Sequence, residues 1–418
     1  MNILKQYKKP LIILALAILC IAGVWRYMEY HRMQNPNRTH PPMEITANPR
    51  TFCIGRTLID LPQGLYPDDP AIASLIQSSA TLDGVRIEAR PNVALEEFNA
   101  IVASRWAEAQ AYTHNANRNP YVKPSQRQQV KENGWILAFN HREIRSNVRE
   151  ENGVLVHDKR IYYDAEGYLW DKGTMFTMKD SGVRVSEKIT DLIQRSRFHN
   201  VAETPTEAGV CFNGGFIQTY CSNRAEDYSW QLELPAFSLL LKMGTDIRET
   251  PLLERNAQRI SPTHSSSDDY TTHKGMTQRA AQRPDDALPA EEIVWTTTTY
   301  NNHDHPKKYT SGVLALWEFN GRPKPDPKPY VVAEYRMAYE STERPNNLGD
   351  YPNQTANSTY PSKEEFFALW DAIMSTIRFY PGALTPAPEQ QKPEPPPMPS
   401  ARQIQQDQRA LDDFLRNG

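Results

Sequence analysis

The chain has few of the residues and patterns that reveal chemistry at the level of sequence. Its 418 residues include only four cysteines, and its formal net charge is −3. Because no basic stripe with interleaved aromatics is present, nucleic acid is not expected as a partner. Because the sequence has no C-x-x-C pair and no Cys/His spacing for zinc, we expect no metal and no other cofactor. Glycine is sparse (19) and proline abundant (33), which indicates extended linkers and turns.

The motifs of secreted hydrolases are also missing. There is no G-x-S-x-G elbow, no H-E-x-x-H helix and no phosphate-cradling G-x-x-x-x-G-K. Residues 303–305 (His-Asp-His) suit a polar turn better than a metal site. Residues 264–268 hold a histidine, three serines and an aspartate, but in a stretch without periodicity, where catalytic groups lack rigid support. His157 alternates within a predicted strand. We therefore predict no catalytic residue, although a triad can still be assembled in space.

One long apolar run stands near the amino terminus, behind three lysines. Residues 11–25 carry no charge, and as a helix they would extend ~22 Å, against ~30 Å for a hydrocarbon core. A snorkelling lysine at one end and interfacial aromatics at the other make a thin span feasible. We favour an uncleaved transmembrane anchor over a cleaved signal segment, and both over a lipoprotein signal at Cys20. Each alternative places the body outside the cytoplasm, and the anchor would hold it in the periplasm at the inner membrane.

Composition divides the chain into five parts. Residues 1–30 form the membrane segment, and residues 31–50 form a proline-containing stalk. Residues 51–203 and 204–382 have the periodicities of two folded domains. Residues 383–418 are rich in proline, glutamine and glutamate and cannot bury a core, so this tail is expected to be disordered.

Periodicity predicts strands and helices in both domains. One strand is expected to run from Phe52 to Pro62. Other predicted strands cover residues 84–90, 135–139, 154–163, 167–170, 230–234, 237–243, 293–300, 313–319 and 330–337. Predicted helices cover 95–109, a short segment around 189–197, and a segment that begins at Ser362, which forms a capping box with Glu365. Residues 256–290 lose all periodicity and are expected to be a long mobile loop.

The two domains have the outline of a duplication. Each opens with a cysteine-bearing strand (Cys53, Cys211), continues with strands, and closes with a helix that runs into Arg-Phe, at 197–198 and 378–379. The predicted fold class is α+β, with two similar domains, each a mostly antiparallel sheet with packed helices, after the N-terminal membrane segment.

Three cysteines lie outside the apolar run. An oxidising compartment permits one disulfide among them and leaves one free thiol. Cys211 and Cys221 are the local pair and the favoured one, but the sequence does not exclude Cys53 as the partner. Seven tryptophans lie mostly within periodic elements, where core packing is expected; any at a loop end could anchor a protein interface.

Four blocks in order resemble a known family. They are CIGRTLIDLP at 53–62, GVCFNGGFIQ at 209–218, LPAFSLLLKM at 234–243 and LWDAIMSTIRFYPG at 369–382. Together they are similar to the immunity proteins of type VI secretion lipase effectors of the fourth class, over about residues 51–382. The resemblance implies a non-catalytic periplasmic inhibitor that clasps a phospholipase toxin between two α+β domains, blocking substrate access and lid opening. It names no toxin-contacting residue.

The expected partners are therefore a cognate phospholipase effector protein and, through the N-terminal segment, the inner membrane. Two other functions stay open at the level of sequence. One is an envelope hydrolase that acts on lipid or glycan, which would show turnover lost on a single substitution. The other is a structural envelope subunit, which would form constitutive complexes with envelope proteins.

Overall fold

A computed structural model describes residues 46–111, 124–151, 154–221, 226–234, 237–245, 249–257, 263–322, 328–342, 344–345, 347–349, 351 and 361–386. The predicted membrane segment, most of the predicted stalk and the tail from residue 387 lie outside these ranges. Among the helices within them, none is long and apolar enough to cross a membrane.

The chain divides into two halves, and each forms both strands and helices. The first half comprises β1 Arg50–Ile54, β2 Thr57–Leu61, α1 Pro70–Ala73, β3 Ile76–Leu82, β4 Val85–Arg90, α2 Leu95–Ala111, β5 Gln126–Lys131, β6 Gly134–Glu151, β7 Val154–Asp171, β8 Thr174–Gly182, α3 Val185–Arg195 and β9 Ser196–Phe198. The second half comprises β10 Gly209–Phe212, β11 Gly215–Gln218, β12 Glu226–Glu233, β13 Ser238–Gly244, α4 Leu252–Arg255, β14 Thr263–Ser267, β15 Thr271–Arg283, β16 Ala290–Asn301, β17 Tyr309–Phe319, β18 Tyr330–Ser341, α5 Lys363–Met374 and β19 Arg378–Phe379.

Thirteen strands form one continuous sheet that both halves share. Its order is β14-β15-β16-β17-β18-β13-β12-β3-β4-β8-β7-β6-β5, and neighbours run antiparallel. The halves meet where β12 pairs with β3. Counted outward from that junction, the strands of the two halves correspond one to one in position. The order β3-β4-β8-β7-β6-β5 in the first half matches the order β12-β13-β18-β17-β16-β15 in the second. The prediction of two similar, mostly antiparallel domains is confirmed.

The halves also exchange their last strands. The hairpin β1–β2 is completed by β19, from the end of the second half. The hairpin β10–β11 is completed by β9, from the end of the first. The two hairpins meet each other through reciprocal backbone hydrogen bonds between Gly55 and Cys211, at 3.0 and 2.8 Å. This arrangement has approximate two-fold symmetry about the junction of the halves.

One hydrophobic core spans both halves on one face of the sheet. It is built from inward-facing strand residues, both hairpins, α3 and α5, and includes Phe52, Phe176, Phe212, Trp230, Trp317 and Phe366. Adjacent residues of a strand point to opposite faces. Accordingly Ile136 enters this core, whereas Leu137 packs under α2 on the other face. In the second half, Trp295 packs under α4 on that same other face.

Two predictions about local structure were wrong. Residues 52–61 form a hairpin rather than one strand, because Gly55 has a φ of +62° and turns the chain with Arg56. Residues 256–290 contain β14 and β15 rather than a loop. Strand β15 pairs along its length with β16, but its side chains are mostly half-buried or exposed, so no apolar period marks it.

The predicted capping box at the start of α5 is present and can be tested. The Ser362 hydroxyl accepts from the Glu365 N–H at 3.1 Å, and the Glu365 carboxylate accepts from the Ser362 N–H at 2.7 Å. Ser362→Ala is expected to lower the free energy of unfolding by about 1 kcal/mol, since an unsatisfied helix terminus results. Denaturant unfolding would measure the loss. Ser375→Ala, at the other end of α5, is the control and should have a smaller effect.

Candidate functional site

The site is a stretch of sheet surface on the face opposite the shared core. We call this surface the open face; it is formed by the six central strands β8, β4, β3, β12, β13 and β18, between α2 and α4. Within the part of the chain that the structure describes, no helix covers it. Its side chains are mostly polar or charged and at least partly exposed, as alternation predicts for a solvated sheet face, with Leu240 and Val332 as half-buried apolar members. They include Gln77, Ser79, Arg86, Glu88, Arg90, Ser229, Gln231, Lys242, Glu334 and Arg336.

Two depressions lie along the open face, and the second extends past its edge onto β17 and β16. The first has a volume of about 700 Å³ and is lined by β3, β4 and β12, together with the start of α2. The second has a volume of about 550 Å³ and is lined by β13, β18, β17 and β16 of the second half. They adjoin at β12, where Gln231 lines the first depression and Glu233 lines the second. A partner seated here would contact both halves.

The charges of the first depression occur as exposed ion pairs. Arg86 lies 2.8 Å from Glu88, and Arg90 lies 2.6 Å from Glu97 of α2. Exposed pairs of this kind add little to stability, about 0–1 kcal/mol each. Their side chains are therefore available to re-pair with a partner at small cost to the fold.

The helix on the first flank is fixed by a buried carboxylate. Arg105 of α2 donates two hydrogen bonds to Glu166, at 2.7 and 2.8 Å, and the Tyr168 hydroxyl donates a third at 2.7 Å. Burial raises the pKa of Glu166, but the hydrogen bonds from Arg105 and Tyr168 outweigh it and hold that pKa below its usual value. The same burial raises the pKa of Tyr168, so the hydroxyl stays a donor.

The helix on the second flank is fixed in the same way. Arg255 of α4 donates two hydrogen bonds to the buried Glu318, both at 2.8 Å. The Leu253 N–H donates to Glu291 at 2.8 Å. Planar, bidentate arginine–carboxylate pairs are geometrically specific. The two helices that flank the open face, α2 and α4, are therefore held in place without a bound partner.

Behind the open face, one buried arginine adds to the contacts that join the two halves. Arg56, 2% exposed in its side chain, donates to Glu226 at 2.8 Å and to the Ala383 and Gly209 carbonyls at 2.7 and 3.2 Å. Burial raises the pKa of Glu226, and the positive charge of Arg56 counters it only in part. We call Arg56 and its partners the arginine hub. The sequence offered no signal for it beyond an arginine within the largely apolar stretch 52–61.

The disulfide differs from the favoured prediction. Cys53 bonds to Cys211, and Cys221 is a free thiol whose pKa is raised by burial. The pairing of Cys211 with Cys221 is therefore wrong. The bonded cysteines occupy equivalent strands of the two hairpins, which the exchange of strands brings face to face. Their separation of 158 residues in the sequence hid this proximity.

The polar clusters considered at the level of sequence lie in a strand and in turns: residues 264–267 belong to β14, Asp268 to the turn after it, and residues 303–305 to the turn between β16 and β17. The His303 Nε2–H donates a hydrogen bond to the Asp269 carbonyl oxygen at 2.8 Å. The Asp268 carboxylate accepts from the Tyr270 N–H at 2.8 Å and so closes the turn between β14 and β15. His157 lies in β7. No group of three or more potential metal ligands occurs within the described ranges.

The tryptophans mostly serve packing, as expected. Four of them, Trp230, Trp295, Trp317 and Trp370, are at most 5% exposed. The other three, Trp106, Trp135 and Trp170, pack half-buried around α2.

Comparison with known proteins agrees with this fold. Family models for Tle cognate immunity protein 4 match residues 50–206 with the N-terminal domain and residues 203–382 with the C-terminal domain. No curated protein matches the chain. A crystal structure of a Tle4–Tli4 complex contains a chain 22% identical, with a TM-score of 0.52, and the match covers 81% of this chain and 99% of that one. The apo immunity protein TplEi of the type VI secretion system from Pseudomonas aeruginosa is 20% identical, with a TM-score of 0.50 and the same coverage.

The two domains and their arrangement define a type VI secretion immunity protein. The chain belongs to the Tle cognate immunity protein 4 family, whose members protect against a lipase effector. The resemblance seen in the four sequence blocks is thereby confirmed.

Proposed function

We propose that the chain inhibits its lipase effector by holding it against the open face, between α2 and α4. The observation that carries this proposal is a mostly polar surface shared by both halves, which no helix of the described residues covers and whose flanking helices are each fixed by a buried carboxylate. An effector held there is kept from its lipid substrate. Inhibition then comes from binding alone and needs no chemistry from the chain.

The size of the open face indicates a clasp rather than a flat contact. Six strands spaced ~4.8 Å apart, with about seven residues each at ~3.3 Å, cover roughly 650 Å². A stable complex buries about 800 Å² on each partner. The flanking helices and the loops beside them must therefore contribute the rest of the area. The effector is thus expected to contact α2 and α4 as well as the open face of the sheet.

We also propose that the body lies in the periplasm, attached to the inner membrane through residues 11–25. The basic residues before an uncharged apolar run support export and anchoring. The disulfide Cys53–Cys211 supports an oxidising compartment, where such bonds persist. An inhibitor at this membrane would stand between the effector and the lipid it attacks.

The proposed function is tested with the fourth-class lipase effector of the same genome. The purified full-length chain is mixed with it, and the complex is sized while phospholipase activity is measured. We expect a one-to-one complex without lipase activity. A failure to bind, or phospholipid hydrolysis by the chain alone, would contradict the proposal and favour the envelope hydrolase.

A charge reversal on the open face should weaken this complex. Arg86→Glu with Arg90→Glu places four acidic groups side by side in the first depression, and we expect the Kd for the effector to rise at least about tenfold. Both side chains are more than half exposed, so the midpoint of unfolding should change little. Calorimetric titration and denaturation measure the two effects.

The matched control reverses two lysines on the opposite layer. Lys188 of α3 and Lys363 of α5 are exposed and lie on the helices that cover the shared core. Lys188→Glu with Lys363→Glu makes the same change in net charge and should leave the Kd within about threefold. Equal weakening by both pairs would mean that net charge, rather than the open face, governs binding.

A further inference from the structure

An exposed aromatic side chain stands at the far end of the second half. Tyr270, in the turn between β14 and β15, is 68% exposed, and the next most exposed large apolar side chains in the described ranges reach 44%. Its ring lies 5.3 Å from that of His303, in the turn between β16 and β17. We call Tyr270 and His303 the aromatic tip.

The aromatic tip is held by its own backbone. The Tyr270 N–H donates to Asp268 at 2.8 Å, and the Tyr270 carbonyl accepts from the Asn302 N–H at 2.7 Å. His303 is tied back to the Asp269 carbonyl at 2.8 Å. These hydrogen bonds join the two turns to each other. The backbone that carries the tyrosine ring is therefore held in place and is not a loose loop. A side chain carried by a backbone fixed in this way costs less conformational entropy to bury against a partner than one carried by a loose loop.

The aromatic tip borders the second depression of the open face. Thr297 and Thr299 of β16 and Thr310 of β17 line that depression. Asn302, where the turn begins, follows Thr299 by three residues, which is ~10 Å along a strand. The tip is therefore continuous with the surface on which the effector is proposed to sit. By contrast, the first depression offers charges that already have partners within the chain.

We infer that Tyr270 is a principal anchor for the lipase effector, inserted into an apolar socket on that protein at the edge of the second depression. This inference rests on the proposed function and assigns different roles to the two halves. The second half supplies the apolar anchor that slows dissociation, and the first supplies exposed charges that select the partner. Interface energy concentrates in such aromatic residues, where truncation costs about 2 kcal/mol or more.

The kinetics of binding follow from the chemistry of the side chain. Replacement of Tyr270 by alanine changes no formal charge of the chain, so it should raise the dissociation rate and leave the association rate nearly unchanged. Charge reversal at Arg86 and Arg90 should instead alter the association rate and its dependence on salt. The two depressions are therefore distinguishable by rate constants as well as by affinity.

The experiment compares Tyr270→Ala, Tyr270→Phe and Tyr220→Ala with the native chain, by surface-based kinetics against the fourth-class lipase effector of the same genome. Tyr220 is 44% exposed and lies beside the hairpin layer, away from the open face, so it controls for loss of an exposed tyrosine. For Tyr270→Ala we expect a Kd at least about 30-fold higher, since each 1.4 kcal/mol is tenfold. Tyr270→Phe should stay within about threefold, and Tyr220→Ala should match the native chain.

The possible failures are separable. If Tyr270→Ala binds as tightly as Tyr220→Ala while charge reversal at Arg86 and Arg90 still weakens binding, the anchor is refuted and the proposed function stands. If the native chain does not bind the effector, the proposed function itself fails. Sedimentation of the chain alone is the third arm. A native dimer that Tyr270→Ala abolishes would assign the tip to a contact between copies and overturn the inference.

Discussion

Replacement of Cys53 and Cys211 by serine is expected to lower the free energy of unfolding by up to about 5 kcal/mol. The bond closes a loop of 158 residues, and in the chain-entropy account a loop of this length constrains the unfolded chain by about that amount. The loss should be large because the bonded strands are also paired through Gly55, so the folded state is already compatible with the link.

Denaturant unfolding of the oxidised protein measures this loss. Cys221→Ser is the control, since Cys221 is a free thiol, and it should change the free energy of unfolding by less than about 1 kcal/mol. Reduction of the native protein should reproduce the double variant. A double variant as stable as the control would show that packing alone holds the hairpins together.

Arg56→Met is expected to lower the free energy of unfolding by about 3–5 kcal/mol, the usual result of removing one partner from a buried ion pair. The Glu226 carboxylate would be left buried without its guanidinium partner. The Ala383 carbonyl would also lose the hydrogen bond from Arg56, whereas the Gly209 carbonyl keeps the one from the Tyr380 hydroxyl. Because the arginine hub joins the first hairpin to the second half, the loss should appear in a single cooperative transition.

The pH dependence of this variant gives an independent test. Without Arg56, the pKa of Glu226, already raised by burial, rises further above its value in the unfolded chain. The folded state then binds a proton more readily than the unfolded state does. The deficit relative to the native protein is therefore full at neutral pH and shrinks as pH falls through the folded-state pKa.

The double variant Arg56→Met with Glu226→Gln completes the comparison. It removes both charges, so it should be more stable than Arg56→Met alone at neutral pH and should show no comparable pH dependence. If the deficit of Arg56→Met were instead the same at every pH, the loss would come from packing and not from the stranded carboxylate.

Where apolar and charged residues alternate cleanly, the sequence was sufficient to predict the element, whereas β3, whose outward-facing and inward-facing residues are both partly small and polar, was missed. Strand β4 shows this most clearly, because Val85 and Ile87 enter the core while Arg86 and Glu88 remain outside. The start of α5 was equally well marked, since Ser362 and Glu365 satisfy each other's backbone groups. These signals depend only on residues that are close together in the sequence, so they do not depend on the contacts that the rest of the chain makes.

Features that depend on distant contacts were not predictable. The hairpin at Gly55 was interpreted as one strand because both of its strands are buried on both faces, which leaves no change of period at the turn. The partner of Cys211 depends on the exchange of strands between halves, and no pairwise spacing encodes that. The residues of the open face, such as Arg86 and Glu88, look like ordinary outward-facing strand residues, so only the placement of α2 and α4 distinguishes them.

The exchange of closing strands sets the order in which the molecule can be completed. Strand β2 gains its last neighbour from Arg378 and Phe379, and the Asp60 N–H bonds to Thr376, 316 residues away. The hairpin made first in synthesis is thus among the last parts to be finished. A chain cut short before residue 376 leaves the edge of β2 unpaired, and such an edge invites aggregation. Interrupted synthesis is therefore expected to yield an aggregation-prone fragment rather than a half-active inhibitor.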